Sequence, residues 1–173
     1  MKTPKSYSDN LKNNIITDDM LGACIYSVNK RAKNFRDRTR KLYSEIDTKR
    51  STYGQTGVEY QLKNIATAKA TKVYYYRYKD QLLSIVNPIS IHIVSGRNSS
   101  ENRRYYLFYR VGSYSFHYPI DVKDLDKYPD LPQEDIGTLT TSGHEIEDLI
   151  SVQFVDKVLH LIRTGRYIFQ PSY

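Results

Sequence analysis

The chain has little of what would place it outside the cell or across a membrane. Its 173 residues include one cysteine and no tryptophan. A single cysteine cannot form an internal disulfide, so the fold needs no oxidising compartment. No apolar run approaches the roughly 18 residues that a membrane span requires, and the opening residues 1–5 lack the apolar core of a secretory signal. We therefore expect a soluble, cytosolic protein that does not enter the membrane.

The common signatures of enzymes and metal sites are also missing. The sequence has no Gly-rich phosphate loop, no HExxH, no paired CxxC and no EF-hand loop. Asp121, Asp124 and Asp126 are clustered, but carboxylates on a polar loop are usually solvated. We therefore expect no metal and no cofactor, and a binding protein rather than an enzyme.

The charges are arranged in blocks. Residues 1–80 carry 17 Lys and Arg against 8 Asp and Glu, a balance of +9, whereas residues 121–156 carry 2 against 10, a balance of −8. The whole chain has a formal net charge of +7. Separated blocks of charge produce a field that steers charged partners. The basic block indicates a polyanion as partner, and the acidic block either competes with that polyanion or receives a basic protein.

The first half of the chain predicts a long helix after a polar N-terminal arm, which we place at residues 1–16. Thr17 is a favourable N-cap, and the two acids that follow suit the start of a helix. An apolar stripe then continues at helical spacing over about 25 residues or more. Cys24 lies inside the stripe and is expected to be a buried structural thiol. The stripe consists of Leu21, Cys24, Ile25, Val28, Ala32, Phe35 and Leu42.

A second helix is predicted after a short break. Residues 47–57 are polar, contain two glycines and predict a connector. Helical spacing then resumes, and Pro88 marks its end. Two long helices over residues 17–85 predict an antiparallel helical hairpin. The predicted buried side of the second helix consists of Val58, Leu62, Ile65, Val73, Tyr76 and Leu83.

Between residues 89 and 120 the apolar period changes to two, which predicts antiparallel strands. Residues 89–94 form the first strand, and Gly112-Ser113 is a two-residue hairpin turn between the next two. Every residue on one face of this hairpin is apolar or aromatic, as a core face requires. The turn sets a register in which Val111 faces Tyr114, Tyr109 faces Phe116, Leu107 faces Tyr118 and Tyr105 faces Ile120.

The rest of the chain predicts an acidic loop and a last helix. Residues 121–141 contain two prolines and most of the acidic block, which indicates an irregular crossover. The segment 142–145, Ser-Gly-His-Glu, matches a capping box for a helix over residues 142–165, which Gly165 ends. The expected fold is α+β and a single domain over residues 1–173: a long N-terminal αα-hairpin, a central antiparallel β-meander and a C-terminal helix.

A basic run in the first helix is the strongest candidate binding feature. Seven of the twelve residues 30–41 are basic, and Asp37 is the one acid among them. They cover the arc that the apolar stripe leaves open. Such a face neutralises phosphates and binds nucleic acid with little sequence preference. Pairing with the acidic block and binding to a membrane surface are the alternatives. The basic residues are Lys30, Arg31, Lys33, Arg36, Arg38, Arg40 and Lys41.

The outer face of the predicted sheet is the second candidate. If residues 89–94 join the hairpin with their isoleucines inward, His92 points outward with His117, Phe108, Tyr106 and Arg110. Aromatic rings and an arginine on an exposed sheet can stack a base and contact a phosphate. Two histidines can also act as base and acid in metal-free RNA cleavage, although next-but-one strands lie about 10 Å apart. A helix packed over this face is the alternative.

Two N-terminal segments carry a resemblance. Residues 5–17 (Lys-Ser-Tyr-Ser-Asp-Asn-Leu-Lys-Asn-Asn-Ile-Ile-Thr) and 27–34 (Ser-Val-Asn-Lys-Arg-Ala-Lys-Asn) resemble small accessory proteins of phages and mobile elements in AT-rich bacteria. The resemblance includes no catalytic signature, and no functional residues carry over from it. It implies an inhibitor of host defence, a group that includes anti-CRISPR proteins, which bind an effector's nucleic-acid channel or its guide RNA.

Three functional hypotheses result. The leading one is a binder of nucleic acid or of a nucleoprotein complex in a bacterial cytosol, with the basic run on the phosphates and the 17 tyrosines supplying stacking. The second is a metal-independent ribonuclease that uses His92, His117 and Arg110. The third is a protein-only inhibitor whose residues 121–156 imitate nucleic acid. In the first case the same acids are expected to mask the basic helix.

Overall fold

The computed structural model describes residues 3–85, 91–97, 103–138 and 149–171. It confirms the α+β class, with a long helical region first, a central sheet and a C-terminal helix. The helices are α1 (Lys5–Lys12), α2 (Asp18–Ser44), α3 (Ile46–Leu83) and α4 (Val152–Thr164), with a 3-10 helix at Val122–Lys127. The strands are β1 (Ile15–Thr17), β2 (Ile91–Arg97), β3 (Arg103–Val111), β4 (Tyr114–Ile120), β5 (Gln133–Thr138) and β6 (Ile168–Gln170).

Helix α2 begins and packs as predicted. The hydroxyl of Thr17 accepts a hydrogen bond from the Met20 N–H at 3.1 Å, so Thr17 is the N-cap. The helix has 27 residues. The first five residues of the predicted stripe are buried, and its last two, Phe35 and Leu42, are half-buried. The apolar stripe therefore loses its cover toward the C-terminal end of α2.

The predicted connector at residues 47–57 contains the point where the hairpin reverses, but most of it is helical. Helix α3 begins at Ile46, one residue after the end of α2. The chain reverses at Gly54, because Phe35 stacks on Tyr75 and Lys69 stands over the ring of Tyr43, and the two residues of each pair lie on either side of this glycine. The predicted connector forms the first turns of α3, with a break at Gly54, whose φ of 68° and ψ of −152° belong to a region that only glycine enters readily. The sequence therefore placed the reversal correctly at this glycine, but it did not indicate that the residues on either side of Gly54 are helical.

The predicted buried side of α3 is partly wrong. Val58 and Ile65 are buried, but Leu62 and Val73 are exposed. Gln61 is buried in place of Leu62, and its Nε2 donates to the carbonyl oxygen of Leu42 at 2.9 Å. That carbonyl belongs to the last turn of α2, where it also accepts a hydrogen bond from the Glu45 N–H at 3.3 Å. Hydrophobicity alone ranks leucine above glutamine, so the pattern could not indicate this exchange.

The hairpin register is confirmed in full. Strands β3 and β4 pair in all seven predicted positions, from Tyr105 opposite Ile120 to Val111 opposite Tyr114. Strand β2 lies antiparallel to β3, and the four-stranded sheet has the order β4-β3-β2-β5. The core face buries Tyr109, Val111 and Phe116. The first two residues of the predicted strand at 89–94 lie outside the described residues.

The irregular crossover predicted for residues 121–141 is wrong for most of its length. It contains the 3-10 helix and strand β5, which pairs with β2 in parallel, with Ile93 beside Gln133. The sheet is therefore mixed rather than purely antiparallel. Strand β5 lies at an edge, and its described side chains, at residues 133–137, are exposed. It therefore lacks the alternation of apolar residues by which a strand is recognised.

The limits of two other segments also differ from the prediction. Helix α4 begins at Val152 rather than at residue 142, because the Ser151 hydroxyl caps it by accepting from the Phe154 N–H at 3.2 Å. The predicted capping box at 142–145 lies outside the described residues, whereas Gly165 ends the helix as predicted. The N-terminal arm, for which the sequence predicted no helix or strand, contains α1 and the start of β1. Strand β1 pairs in parallel with β6, which the sequence did not indicate.

The main core lies at one end of the helical hairpin. There the first turns of α2 and the last turns of α3 pack against strands β3 and β4 and against α4. Gly22 permits close approach of α2 to the sheet, because a Cβ at this position would lie 2.6 Å from the Val111 carbonyl oxygen. We call this end of the hairpin the core end. Residues 30–44 of α2 and 46–72 of α3, whose buried residues lie outside that cluster, form the distal half.

Candidate functional site

The basic run lies mostly in the distal half, on the sides of α2 that α3 leaves open. Thr39 is buried against α3, and the residues around it are exposed or half-buried. Lys33, Arg36 and Arg40 follow one another at helical spacing along one flank of α2. Arg38 lies on the opposite flank and Lys41 faces away from α3. We call the set Lys30, Lys33, Arg36, Arg38, Arg40 and Lys41 the basic face.

Two arginines of the predicted run have partners within the protein. Arg31 donates from Nη1 to the carbonyl oxygen of Ile150 at 2.8 Å, so it ties α2 to the segment before α4 and has a structural role. Arg36 pairs with its neighbour Asp37 at 3.3 Å. Arg38, Arg40 and Lys41 are exposed, and none of them is in an ion pair with another described residue.

The basic face is electrostatically continuous with the sheet. Partial desolvation lowers the pKa of His117 on β4, although its side chain is still exposed, and the charge of Lys33 lowers it further. The pKa of Lys33 is itself lowered, first by burial and then by Arg36 and Lys30. The pKa of Lys79 on α3 is lowered by burial and by Lys33, with Asp80 acting in the opposite direction. Cationic groups from α2 and α3 thus lie within electrostatic range of one another and repel, and the same charges disfavour the protonated form of His117 on β4.

The outer sheet face contains the residues that the sequence placed there. His92 pairs with Phe108 across β2 and β3, and Phe108 pairs with His117 across β3 and β4, so the three form one row. The ring centroids of His92 and Phe108 are 4.8 Å apart, and Tyr106 meets His117 edge-on at 5.4 Å. His117 is exposed, whereas Phe108 and Tyr106 are half-buried. The described residues therefore leave this face partly open.

This geometry does not suit cleavage by a pair of histidines. The phenyl ring of Phe108 stands between His92 and His117 in the row, and the strands that carry them are next-but-one neighbours, about 10 Å apart. The Nε2 atom of His92 lies 3.6 Å from a carboxylate oxygen of Glu134, so this imidazole already has a partner. Arg110 donates from Nε to the carbonyl oxygen of Gly112 and so supports its own hairpin turn.

The described part of the acidic segment pairs locally. Asp124 pairs with Lys127 at 3.1 Å, and Asp135 on β5 pairs with Arg103 on β3 at 3.0 Å. The carboxylate of Asp135 accepts a hydrogen bond from the Gly137 N–H, which lowers its pKa, and the nearby Arg103 lowers it further. No ion pair among the described residues joins these acids to the basic face. Residues 139–148, which include three of the acids, lie outside the described residues.

Other kinds of site find little support in the described ranges. No group of three His, Cys, Asp or Glu side chains gathers there in a way that would hold a metal ion. No helix in these ranges has both the length and the apolar character of a membrane span. Cys24 is fully buried, as predicted, and burial raises the pKa of its thiol far above the usual range, so this thiol is unsuited to act as a nucleophile.

Sequence reasoning missed two residues beside these surfaces. Glu134, the partner of His92, lies on the unrecognised strand β5, whose run Gln-Glu-Asp gives no strand signal. Lys79 lies on the buried side of α3, where a helical pattern calls for an apolar residue. Of the two, only Lys79 could have been noticed in the sequence, because a charged residue within an apolar stripe is unusual and is rarely fully buried without a partner.

The chain was also compared with protein-family models, with curated proteins and with solved structures, and none of the three comparisons finds a match.

Proposed function

We propose that the protein binds nucleic acid, either free or exposed on a nucleoprotein complex, through the basic face of α2. One observation carries the proposal: Arg38, Arg40 and Lys41 are exposed and form no ion pair within the described ranges. Repulsion among the cations nearby adds support, since a polyanion relieves it. A surface that neutralises phosphates gains affinity from the release of their counterions.

The basic face favours a backbone contact over the reading of a base sequence. Arginine forks suit the bidentate binding of phosphate oxygens, and lysine acts as a point charge. These residues lie on two flanks of a single helix rather than in one pocket. The expected binding is therefore strong at low salt, weak at high salt and nearly independent of sequence.

The resemblance to phage accessory proteins extends the proposal to a biological role. A nucleic acid held by a bacterial defence effector exposes the same phosphates as a free one. A protein that covers those phosphates in the bacterial cytosol would block the effector from its target. The proposed role is therefore a phage-encoded inhibitor of a defence complex that carries nucleic acid.

The proposal is tested with the triple variant R38Q/R40Q/K41Q. Binding of labelled RNA and DNA is measured by fluorescence anisotropy between about 50 and 200 mM salt. We expect weaker binding at low salt and a log–log salt slope that is smaller by about 2 to 3, because each lost phosphate contact removes roughly 0.7 to 0.9. The free energy of unfolding should change by less than about 1 kcal/mol, since these side chains are exposed.

A matched control separates a local site from the effect of total charge. The variant K5Q/K12Q/K157Q removes three exposed lysines from α1 and α4 and changes the net charge by the same amount. It should keep most of the affinity and the slope. Equal losses in the two triple variants, or no loss in the first, would refute the basic face as the site. The same samples are incubated in EDTA and inspected for cleavage. Cleavage would indicate a metal-independent nuclease rather than a protein that only binds.

A further inference from the structure

The distal end of the helical hairpin carries three tyrosines whose side chains face solvent. The exposed fraction is 45% for Tyr43, 65% for Tyr53 and 66% for Tyr60. Tyr43 lies in the last turn of α2, Tyr53 lies in α3 just before the break at Gly54, and Tyr60 lies in α3 after that break. An exposed aromatic ring contributes none of the hydrophobic stabilisation that its burial would provide. A group of such rings therefore indicates a surface that contacts another molecule.

Lysines stand over two of these rings. The ammonium nitrogen of Lys69 lies 4.9 Å from the centroid of the Tyr43 ring, and that of Lys49 lies 5.6 Å from the centroid of Tyr53. A cation over one face of a ring is attracted by its quadrupole. Since 45% of Tyr43 and 65% of Tyr53 remain exposed, ring surface is left for a planar partner beside a positive charge. The combination suits a ligand that has both flat rings and negative charge.

The glycines of α3 bring two of the rings to the same cavity. The break at Gly54 turns the first helical turns back, so that they lie against Gly57. A Cβ at Gly57 would lie 2.7 Å from the Cβ of Tyr53 and 2.8 Å from the Lys49 carbonyl oxygen, so only glycine allows this contact. The cavity there measures about 390 Å³ and is lined by Lys49, Tyr53, Thr56, Gly57 and Tyr60. Small-molecule sites span roughly 300–1,000 Å³.

We propose that the tyrosine cluster stacks the unpaired bases of a single-stranded nucleic acid. This cluster consists of Tyr53, Tyr60 and Lys49 around the cavity, and of Tyr43 with Lys69 farther along the distal half. The inference rests on the proposed function above and adds the class of ligand. Sequence-tolerant proteins hold single strands by combining a positive track for the backbone with aromatic rings for the bases. The basic face supplies the track, and its last residues, Arg40 and Lys41, lie in the turn that carries Tyr43.

The strandedness follows from the chemistry of the rings. In a duplex, both faces of an internal base are covered by its neighbours, so exposed tyrosines have nothing to stack on. In a single strand the bases can turn out and meet an aromatic side chain. The tyrosine cluster should therefore add affinity for single strands alone, whereas the basic face should serve single and double strands alike.

The test compares the double variant Y53L/Y60L with the control Y74L. Tyr74 is also exposed on α3, about 21 Å along the helix from Tyr60 and away from the tyrosine cluster. Anisotropy is measured with a labelled RNA strand and with the duplex of the same sequence. We expect Y53L/Y60L to weaken single-strand binding at least about tenfold and leave duplex binding unchanged, because each stacked base contributes substantially to affinity. The control should leave both unchanged.

Crosslinking supplies a readout that a loss of charge or of stability would not produce. A strand that contains 5-bromouridine is irradiated on the wild-type protein, and the crosslinked peptides should contain Tyr43, Tyr53 or Tyr60. The tyrosine cluster would be refuted if Y53L/Y60L kept its single-strand affinity, or if it lost affinity for strand and duplex equally. In either case the salt-dependent binding of the wild type would still uphold the proposed function. Absence of all nucleic-acid binding in the wild type would refute both and leave a protein partner for this surface.

Discussion

The two ends of the helical hairpin are built from different residues. At the core end, α2 buries Leu21, Ile25 and other large apolar side chains against the sheet and α4. In the distal half, the buried residues include Ala32, Ala68 and the polar Thr39 and Gln61. The large side chains of that half, tyrosines and arginines among them, are mostly exposed. One pair of helices therefore has an ordinary core at one end and little apolar burial at the other.

The difference indicates how the hairpin divides its roles. Burial of apolar area stabilises the fold at the core end, where roughly 25 cal/mol are gained for each Å² removed from water. The distal half keeps only a narrow seam between two helices, so its stability depends on the core end to hold α2 and α3 together. Its outer sides are thereby left to cations and aromatic rings, which is the arrangement that a contact surface for a polyanion requires.

The largest expected effect comes from truncating one buried side chain at each end. Leu159→Ala removes a fully buried side chain of the main core, and Ile65→Ala removes one from the distal seam. We expect a loss of about 4 kcal/mol in the free energy of unfolding for Leu159→Ala and about 2 kcal/mol for Ile65→Ala, because a site that can collapse loses less. Urea unfolding measures both values.

Cys24 shows where each variant opens. It is the one cysteine of the chain and is buried at the core end, so its rate of labelling by a thiol reagent reports the opening of that end. Leu159→Ala should accelerate labelling far more than Ile65→Ala. Equal acceleration would show that the hairpin opens as one unit, and the distinction between the two ends would have no energetic meaning.

Two glycines give the next largest effect. Gly22→Ala places a Cβ 2.6 Å from the Val111 carbonyl oxygen, so α2 and the sheet must move apart, at a cost of about 1–3 kcal/mol. A Cβ at Gly54 meets no atom within 4 Å, and Gly54→Ala costs only the strain of a backbone conformation that is nearly restricted to glycine, about 1–3 kcal/mol.

Thermal unfolding and nucleic-acid binding separate these two causes. Gly22→Ala should lower the melting temperature and leave the affinity of the folded protein unchanged. Gly54→Ala should lower the melting temperature to a similar degree, but it should also weaken single-strand binding, because the break at Gly54 places Tyr53 beside Gly57. If Gly54→Ala binds single strands as tightly as the wild type, the kink does not position the tyrosine cluster.

The same contrast explains which predictions from the sequence succeeded. The hairpin register and the first half of α2 were predictable because large apolar residues there follow the period of the element that buries them. The seam of α3 was not, because Ala68 and Gln61 are buried for their size and for one hydrogen bond rather than for their hydrophobicity. Strand β5 was missed for the opposite reason, since an exposed edge strand leaves no apolar pattern.

For the candidate surfaces, the sequence could predict which residue types are present but not how they are arranged. The basic run could be read directly, because charge on a helix needs no partner to be recognised. Its division into flanks, and the structural role of Arg31, depend on where α3 and Ile150 lie. The tyrosine cluster joins residues of two helices across a kink, and its residues do not share one period. A pattern along the chain could not indicate it.

The smallest expected effect is a change in the pKa of His117 on the sheet when a charge of the basic face is removed. Partial desolvation and the charge of Lys33 lower the pKa of His117, so in the folded protein His117 binds its proton at a lower pH than in the unfolded chain. The unfolded state then holds more protons in the window below the ordinary histidine pKa of about 6.5. Stability is therefore fully present above this window and is lost as the pH falls toward the folded pKa of His117.

Lys33→Gln tests this link, and nuclear magnetic resonance titration of the His117 ring measures it. We expect the pKa of His117 to rise in this variant but to stay below the ordinary value, because the repulsive charge is gone while the partial desolvation remains. The loss of stability on acidification should shrink accordingly. Lys12→Gln on α1 removes the same charge without removing Lys33 and should leave the titration of His117 unchanged. If Lys33→Gln also leaves the titration of His117 unchanged, the basic face and the outer sheet face are electrostatically separate. A polyanion bound to α2 would then not change the pKa of His117.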